Sequence, residues 1–430
     1  MTSTPGCLRE GSGALGGRLG RLLTAAETAA PVEAVDVVAA SLRRRFDATR
    51  VSFHIVDLTG KAVVRLASVS DVEVGREAER VDLFGSEYER VIRTQLPIHL
   101  DRNGGGQRLI TPVTNRGDAI GVLEMELPHA LDEDALEEVK EAAHALAYIV
   151  IANQRFTDFY TWGKRSRPVG LAAEIQYQLL PLALSCEAAQ FAVCGSLEPS
   201  QDLAGDTFDY ALDREILHLS VTDTEGHNTR AALTATVLVN ALRRARRNGA
   251  GLVEQAEQAS RALADHADSH ATGQLLRVSL HTGQARLINA GHPSPLRLRA
   301  GVAEEIHLEV DPPLGIPDLA PHPYRVQDLD LQPGDRLVML TDGMLERRAG
   351  GVDIRGLMET TGHLHPRETA LALTSAVRDA AGGRLQDDAT VMCLDWHGPQ
   401  ESQRQVSSGA DTGQASPARH SLSELRARER

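Results

Sequence analysis

The stretch Leu217-His-Leu-Ser-Val-Thr-Asp223-Thr-Glu-Gly-His-Asn228 alternates apolar and polar residues up to an aspartate and then turns into an alanine-rich segment. Alternation with a period of two predicts a β-strand, and the following segment, Thr229 to Arg246, predicts a helix. An aspartate at the end of a strand is most often a turn former or a helix cap. On its own, this stretch therefore indicates a fold of mixed helices and strands (α/β, α+β) and no particular chemistry.

Three further acidic points also lie at the ends of strand-like segments. They are Gly205-Asp206-Thr-Phe-Asp209, Arg336-Leu-Val-Met-Leu-Thr-Asp342-Gly343, and Gln386-Asp387-Asp388 before the strand Ala389 to Leu394. Carboxylate oxygens are the ligands that Mg²⁺ and Mn²⁺ prefer, and two such ions can hold a phosphoryl group between them. The four points together predict a site for two Mn²⁺ or Mg²⁺ ions.

The order of these and other short motifs resembles the type 2C (PPM) metal-dependent protein phosphatases, in the branch named for sporulation stage II protein E. The motifs that carry the resemblance are Ala204-Gly-Asp-Thr-Phe-Asp209, Thr222-Asp-Thr-Glu-Gly-His-Asn228, Asn289-Ala-Gly-His-Pro-Ser-Pro295, Pro313-Leu-Gly315, Pro333-Gly-Asp335, Thr341-Asp-Gly343 and Asp387-Asp388. The resemblance implies an α/β/β/α phosphatase sandwich over residues 186–397.

The resemblance also implies a role for each site residue. Asp223 would bridge both metal ions, and the backbone carbonyl of Thr224 would complete one coordination shell. Asp342 and Asp387 would hold the second ion, and Asp206 would either bind a metal ion or lie just behind its ligands, where it would orient a metal-bound water for attack on phosphorus. His227 would either protonate the leaving serine oxygen or cap the following helix.

Several positions depart from the pattern of this branch. Ala204 and Thr222 replace glycines, Glu225 replaces an apolar or small residue, and Asn228 replaces a glycine. Glu225 would act as an additional ligand or would disturb the phosphate site. A degenerate phosphatase fold that serves as a signal-dependent binding module is therefore the alternative to an enzyme.

Residues 26–158 resemble a GAF domain, a sensor or dimerisation module. The resemblance rests on Leu109-Ile-Thr-Pro-Val-Thr114 and Gly117-Asp-Ala-Ile-Gly-Val-Leu-Glu-Met-Glu-Leu127, which predict a hairpin, within an order of helix, two strands, two strands and helix. A closing helix is predicted from Asp132 to Phe159, with a heptad stripe that fits either a homodimer seam or packing on its own sheet. The ligand of this domain is unknown.

The remaining segments are predicted from their composition. Residues 159–185 would form a linker helix with Leu171, Ile175 and Leu179 as a covered apolar stripe. Residues 1–25 would be disordered because they are glycine-rich, and residues 398–430 because they are rich in Gln, Ser and Arg and lack hydrophobic periodicity until the last few residues.

The charge and the cysteines limit the partners and the compartment. A net charge of -14 disfavours nucleic acid and an anionic membrane as partners. Four cysteines without paired spacing favour a reducing, cytoplasmic location. In the phosphatase branch the usual partner is a phosphorylated regulatory protein, an anti-sigma-factor antagonist.

Overall fold

The computed structural model describes residues 12–66, 79–102, 105–165, 170–200, 205–226, 228–267, 269–316, 323–345, 351–399 and 406–417.

An antiparallel sheet forms the centre of the N-terminal half. Its strands are β1 (Arg50–Val56), β2 (Ala62–Leu66), β3 (Arg80–Asp82), β4 (Ile98–Asp101), β5 (Gln107–Asn115) and β6 (Asp118–Leu127), in the order β3-β2-β1-β6-β5-β4. Both predicted hairpins are confirmed, because β1 pairs with β2 and β5 pairs with β6.

Helices cover both faces of this sheet. The helices are α1 (Ser12–Thr28), α2 (Ala34–Arg45), α3 (Glu87–Thr94) and α4 (Glu133–Asn153). The apolar residues of α1, α2 and α4 share one core with the sheet, and α3 packs on the opposite face. Asp132 caps α4 by accepting a hydrogen bond from the Ala135 amide, so this helix begins where the sequence predicts and ends earlier, at Asn153.

The prediction of disorder over residues 1–25 is wrong from Ser12 onward. Helix α1 packs on α2 and α4, with Ala26 buried and Leu22 against the core. Leu19, Leu22 and Ala26 have helical spacing, which the glycine-rich composition concealed. Residues 1–11 lie outside the described part of the chain.

Two short helices, α5 (Phe159–Gly163) and α6 (Leu171–Leu179), replace the single predicted linker helix. The stripe predicted on α6 is covered only in part, because the Leu171 side chain is 67% exposed whereas Leu179 is buried. The fully buried side chain of the helix is Gln176.

Two antiparallel sheets form the second half. The first contains β9 (Thr207–Leu212), β10 (Ile216–Thr224), β11 (Ala271–Ser279), β12 (Ala285–Ala290) and β15 (Gln327–Leu329); the second contains β7 (Ser185–Glu187), β8 (Phe191–Glu198), β13 (Leu296–Arg299), β14 (Val302–Glu305), β16 (Arg336–Leu340) and β17 (Ala389–Trp396). One apolar core fills the space between the sheets.

Helices α7 (Asn228–Arg247) and α8 (Leu252–Ala267) pack on the outer face of the first sheet, and α9 (Ile354–Thr361) and α10 (Pro366–Ala380) on that of the second. Since the second sheet is covered on both faces, β8 and β16 are buried at every residue. The predicted α/β/β/α sandwich is confirmed.

The prediction of a disordered tail over residues 398–430 is wrong for residues 406–417. Strands β18 (Val406–Ser407) and β19 (Ala410–Asp411) form a small hairpin, and Ala410 and Ser416 are buried. Polar contacts with the two large domains hold this segment, and such contacts leave no hydrophobic period in the sequence. Residues 400–405 and 418–430 lie outside the described part.

No helix within the described residues has the length and apolar character needed to cross a membrane.

Candidate active site

The end of β10 and the start of β9 bring two of the predicted carboxylates together. The two strands pair up to Thr207 and Thr222, and the Thr224 amide donates to the Gly205 carbonyl at 3.3 Å. A Cβ atom on Gly205 would lie 2.7 Å from the Thr224 carbonyl oxygen, so only glycine allows this approach. Asp206, the next residue in the chain, therefore lies beside Asp223.

The second sheet brings the other carboxylates to the same place. Strand β16 ends in a 3₁₀ turn, Asp342–Met344, and a Cβ atom on Gly343 would lie 2.0 Å from the Asp388 carbonyl oxygen. The Thr341 hydroxyl donates to Asp206 Oδ2 at 2.7 Å and so joins the two sheets. The glycine of the Thr-Asp-Gly motif is thus required by the close approach of Asp342 to the Asp387-Asp388 pair.

The acidic groups raise one another's pKa values. Burial, together with the negative charges of Asp342, Asp387 and Asp388, raises the pKa of Asp223 to about 8. Burial raises the pKa of Asp206 well above its usual range, together with Asp223 and Asp388. Burial also raises the pKa of Asp388, to about 6.

This cluster fits a hard cation. Among the described residues, no lysine or arginine forms an ion pair with any of these carboxylates. Nor do three of these side chains already converge on one point. A divalent ion would supply the missing positive charge, and the side chains would turn toward it on binding.

Of the predicted site residues, Asp206, Asp223, Thr224, Asp342 and Asp387 come together in this region. His227 lies outside the described residues. Sequence reasoning missed a contribution of α6, whose Gln176 amide donates to Asp388 Oδ2 at 2.6 Å and to the Asp206 carbonyl at 2.8 Å.

Asp388 lies deeper than its neighbour. It is 1% exposed, and its carboxylate also accepts a hydrogen bond from the Ser200 amide at 2.8 Å. Asp387 is only partly buried, and its carboxylate accepts a hydrogen bond from the Asp388 amide. The two aspartates therefore have different surroundings, with Asp387 nearer to solvent and Asp388 held by α6.

Two of the unusual residues have structural explanations. The Thr222 hydroxyl shares a hydrogen bond of 2.6 Å with that of Thr207 across β9 and β10. The Glu225 carboxylate lies 2.8 Å from His270 Nδ1, and both side chains are partly exposed. Glu225 thus pairs with a neighbouring strand end beside the cluster. The side chain of Asn228 is not described.

The histidine of the Asn289-Ala-Gly-His motif stabilises a turn. The Asn289 side chain accepts a hydrogen bond from the His292 amide and donates to its carbonyl, and His292 Nδ1 lies 2.8 Å from the Thr272 hydroxyl. Burial lowers the pKa of His292 to about 3, so the ring is neutral.

Comparison with known proteins gives a family and several similar folds. Residues 213–397 match the family model of stage II sporulation protein E (SpoIIE). No curated protein sequence gave a significant match.

Three solved structures illustrate the similarity. The RsbU and RsbW domains of a Mycobacterium tuberculosis protein share 24% identity over 50% of this chain, with a TM-score of 0.43, and this chain spans 63% of that structure. RsbX in complex with magnesium shares 16% identity over 49% of this chain and 98% of that one, with a TM-score of 0.40. The phosphatase domain and regulatory-domain fragment of Bacillus subtilis SpoIIE share 13% identity over 73% of this chain and 88% of that one, with a TM-score of 0.42.

The family match begins just before β10, ends just after β17, and includes Asp223, Asp342 and Asp387. Residues 213–397 are therefore a phosphatase domain of the stage II sporulation protein E family.

Proposed function

We propose that this chain is a metal-dependent protein phosphatase that hydrolyses phosphoserine or phosphothreonine on a regulatory protein. The observation that carries the proposal is the set of mutually repelling, largely buried carboxylates at the meeting point of the two sheets. In keeping with the family, the expected target is an anti-sigma-factor antagonist.

Two ions, Mn²⁺ or Mg²⁺, would occupy the carboxylate cluster. Asp223 would contact both, the Thr224 carbonyl would complete one shell, Asp342 and Asp387 would hold the second ion, and Asp206 would orient water. When bound, the ions would offset the negative charge, hold the phosphoryl group and make water a stronger nucleophile. His227 is proposed to give a proton to the leaving serine oxygen.

Residues outside the predicted set position these ligands. The Thr341 hydroxyl fixes the direction of Asp206 by donating to one of its oxygens, and Gln176 holds Asp388, the neighbour of the proposed ligand Asp387. Hydrogen bonds of this kind to metal-binding carboxylates typically tune both affinity and turnover.

The N-terminal domain is proposed to be a GAF-like sensor of unknown ligand that acts through α6. The C-terminus of α6 is bound to the phosphatase domain, because Arg243 donates to the Leu179 carbonyl at 2.6 Å. A shift of α6 would displace Gln176 from the cluster, which gives a physical route from one domain to the other.

The alternative is a degenerate phosphatase fold that binds a partner without hydrolysis, favoured by the substitutions at Glu225 and Asn228. The pairing of Glu225 with His270 supports the enzyme, because that carboxylate already has a cationic or hydrogen-bonding neighbour.

A single assay separates the two functions. We expect the full chain to hydrolyse an aryl phosphate with Mn²⁺ or Mg²⁺, to lose this activity with a chelator, and to regain it when the ion is returned. Equal hydrolysis with and without chelator would reject the metal-dependent enzyme. Metal binding without any hydrolysis would favour the binding module.

A further inference from the structure

A C-terminal strap, residues 406–417, lies between the two domains. It begins with the β18–β19 hairpin, whose two-residue turn is formed by Ser408 and Gly409 with φ of 52° and 96°. Two consecutive residues with positive φ are typical of a tight hairpin turn, in which the second is commonly glycine. The strap lies outside the residues that match the phosphatase family.

The first set of contacts joins the strap to the N-terminal domain. The Gly409 carbonyl accepts a hydrogen bond from the Gly117 amide at 3.0 Å, in the turn between β5 and β6. On α3, the Arg93 carbonyl accepts from the Ser416 amide at 3.1 Å, and the Arg93 guanidinium donates to the Pro417 carbonyl at 2.9 Å.

The second set joins the strap to the phosphatase domain. The Asp411 amide donates to Glu187 Oε2 at 3.0 Å, at the end of β7. At the start of α10, the Ser416 hydroxyl donates to Glu368 Oε2 and accepts from the His365 amide, both at 2.9 Å. Ser416 is therefore bonded to both domains at once.

The strap fits closely into the cleft between the N-terminal domain and the phosphatase domain. A Cβ atom on Gly409 would lie 2.1 Å from the Thr114 carbonyl oxygen and 2.7 Å from His144 Nδ1. Its charged neighbours Arg93, Glu187 and Glu368 are 4%, 2% and 1% exposed. Because a polar group that loses a buried partner carries a desolvation cost, departure of the strap would favour opening of the cleft to water.

The same elements also form the direct contact between the domains. Arg367 of α10 donates to the carbonyls of Gly117 and Ile92, and Lys61 forms a buried ion pair with Glu198. Across this boundary the Glu187 amide donates to the Arg116 carbonyl, and the Ser185 amide donates to the Asp118 carboxylate. The strap thus contributes further hydrogen bonds to this interface, from the hairpin at its start and from Ser416 and Pro417 at its end.

We propose that residues 406–417 are an intramolecular latch that holds the N-terminal domain against the phosphatase domain. Release of the strap loosens the docking of the two domains and thereby the position of α6 between them. The effect on turnover rests on the proposed phosphatase function, whereas the effect on docking does not.

Hydrogen exchange of the full chain tests the docking. Ser416→Asp places a carboxylate beside Glu368 and removes the hydroxyl that it accepts from, whereas Ser407→Asp adds the same charge at an exposed position of the strap. We expect Ser416→Asp, and a chain ending at Pro399, to increase exchange at the Ser185 and Glu187 amides at least tenfold, with Ser407→Asp unchanged. Neither of these backbone amides donates to the strap, so faster exchange there reports on the domain boundary itself.

Wild-type exchange at these amides in both the truncated chain and Ser416→Asp would overturn the latch. Aryl phosphate turnover at saturating Mn²⁺ is measured on the same samples, and we expect a several-fold change with release. Faster exchange with unchanged turnover would retain the latch as a docking element and reject its link to α6. If even the wild-type chain lacks turnover, the phosphatase proposal fails, and the exchange result still decides the latch.

Discussion

Asp206 and Asp209 belong to one motif at the start of β9, and both are buried. Positively charged side chains surround Asp209, whereas negatively charged ones surround Asp206. Asp209 lies 3.0 Å from Arg243 and 3.0 Å from Arg246, both on α7. Asp206 instead faces Asp223 and Asp388, and burial together with these two negative charges holds its pKa well above the usual range. The arginines of α7 therefore neutralise the charge of Asp209, whereas no basic side chain among the described residues pairs with the acidic cluster that contains Asp206.

The difference separates a structural carboxylate from a binding one. A buried ion pair with good hydrogen bonds joins secondary-structure elements, here β9 to α7. A group of like charges without a basic residue stores repulsion that only protons or added cations relieve. The N-terminal domain repeats the first case, because Arg108 and Tyr88 donate to the buried Glu124.

The largest effect is expected from Asp223→Asn. The change removes the ligand charge that both ions share, so turnover of an aryl phosphate should fall at least ~100-fold. The folded state should persist, because the change also relieves repulsion. Asp328→Asn, an exposed position on β15 of the same sheet, serves as the control and should keep wild-type turnover. Near-normal turnover in a folded Asp223→Asn protein would contradict the metal assignment.

Asp209→Asn should have the converse result. It leaves Arg243 and Arg246 without their shared carboxylate, and loss of a mostly buried partner should lower the free energy of unfolding by about 3 kcal/mol. Mn²⁺ affinity of the folded protein should stay within about twofold of wild type, because this group does not face the cluster. Urea unfolding and calorimetric Mn²⁺ titration measure the two quantities. If Mn²⁺ affinity collapses while stability is unchanged, the distinction between the two aspartates is wrong.

The pH dependence follows from the raised pKa of Asp223. Since this pKa is about 8 in the folded chain and near 3.8 in the unfolded chain, the folded state holds the additional proton between these values. The contribution of this group to metal-free stability is therefore present at low pH and is lost as the pH rises toward 8. Mn²⁺ competes with the proton, so its affinity should rise with pH, by up to about tenfold per unit below 8.

Thermal melts at pH 5 and pH 8, with and without Mn²⁺, measure this dependence. Asp223→Asn is the matched control, because it removes the titrating group. The same pH slope in wild type and in Asp223→Asn would show that Asp223 does not carry the effect.

The family resemblance implied the sandwich, and the proximity of the aspartates was expected from local signals. Each motif aspartate stands at a strand end, and alternation along β10 identifies the strand that carries Asp223. Gly205 and Gly343 stand where a side chain would collide with a neighbouring backbone. These features lie within a few residues of one another, so their pattern is visible without the fold.

Contacts between distant segments are not visible in this way. Gln176 and Asp388 are 212 residues apart, and no local pattern marks a glutamine on an otherwise apolar helix as a partner of the site. The strap was missed for the same reason, because backbone and side-chain hydrogen bonds to two domains hold it. On α6 the hydrophobic spacing is misleading, since Leu171 is exposed and Gln176 is buried.

A smaller effect is expected from Gln176→Leu. The substitution keeps the size of the side chain but removes the hydrogen bonds to Asp388 and to the Asp206 carbonyl, so turnover should fall roughly tenfold. The requirement for Mn²⁺ should remain, because Gln176 itself is not a ligand. Gln178→Leu, at an exposed position of the same helix, is the matched control. Equal turnover of the two variants would remove the proposed route from α6 to the site.

The smallest effect is expected at Glu225. Its negative charge lies near the cluster, but the neighbouring His270 side chain offsets part of it. Glu225→Met should raise turnover of an anionic substrate about two- to threefold at low ionic strength and less at high salt, because exposed charges are screened. Glu215→Met removes the same charge at the opposite end of β10 and should change turnover less. His270→Ala should act in the other direction, because it leaves the Glu225 carboxylate free to turn toward the cluster and repel phosphate. A loss of activity in Glu225→Met, together with weaker Mn²⁺ binding, would instead show that Glu225 is a metal ligand and belongs to the acidic cluster.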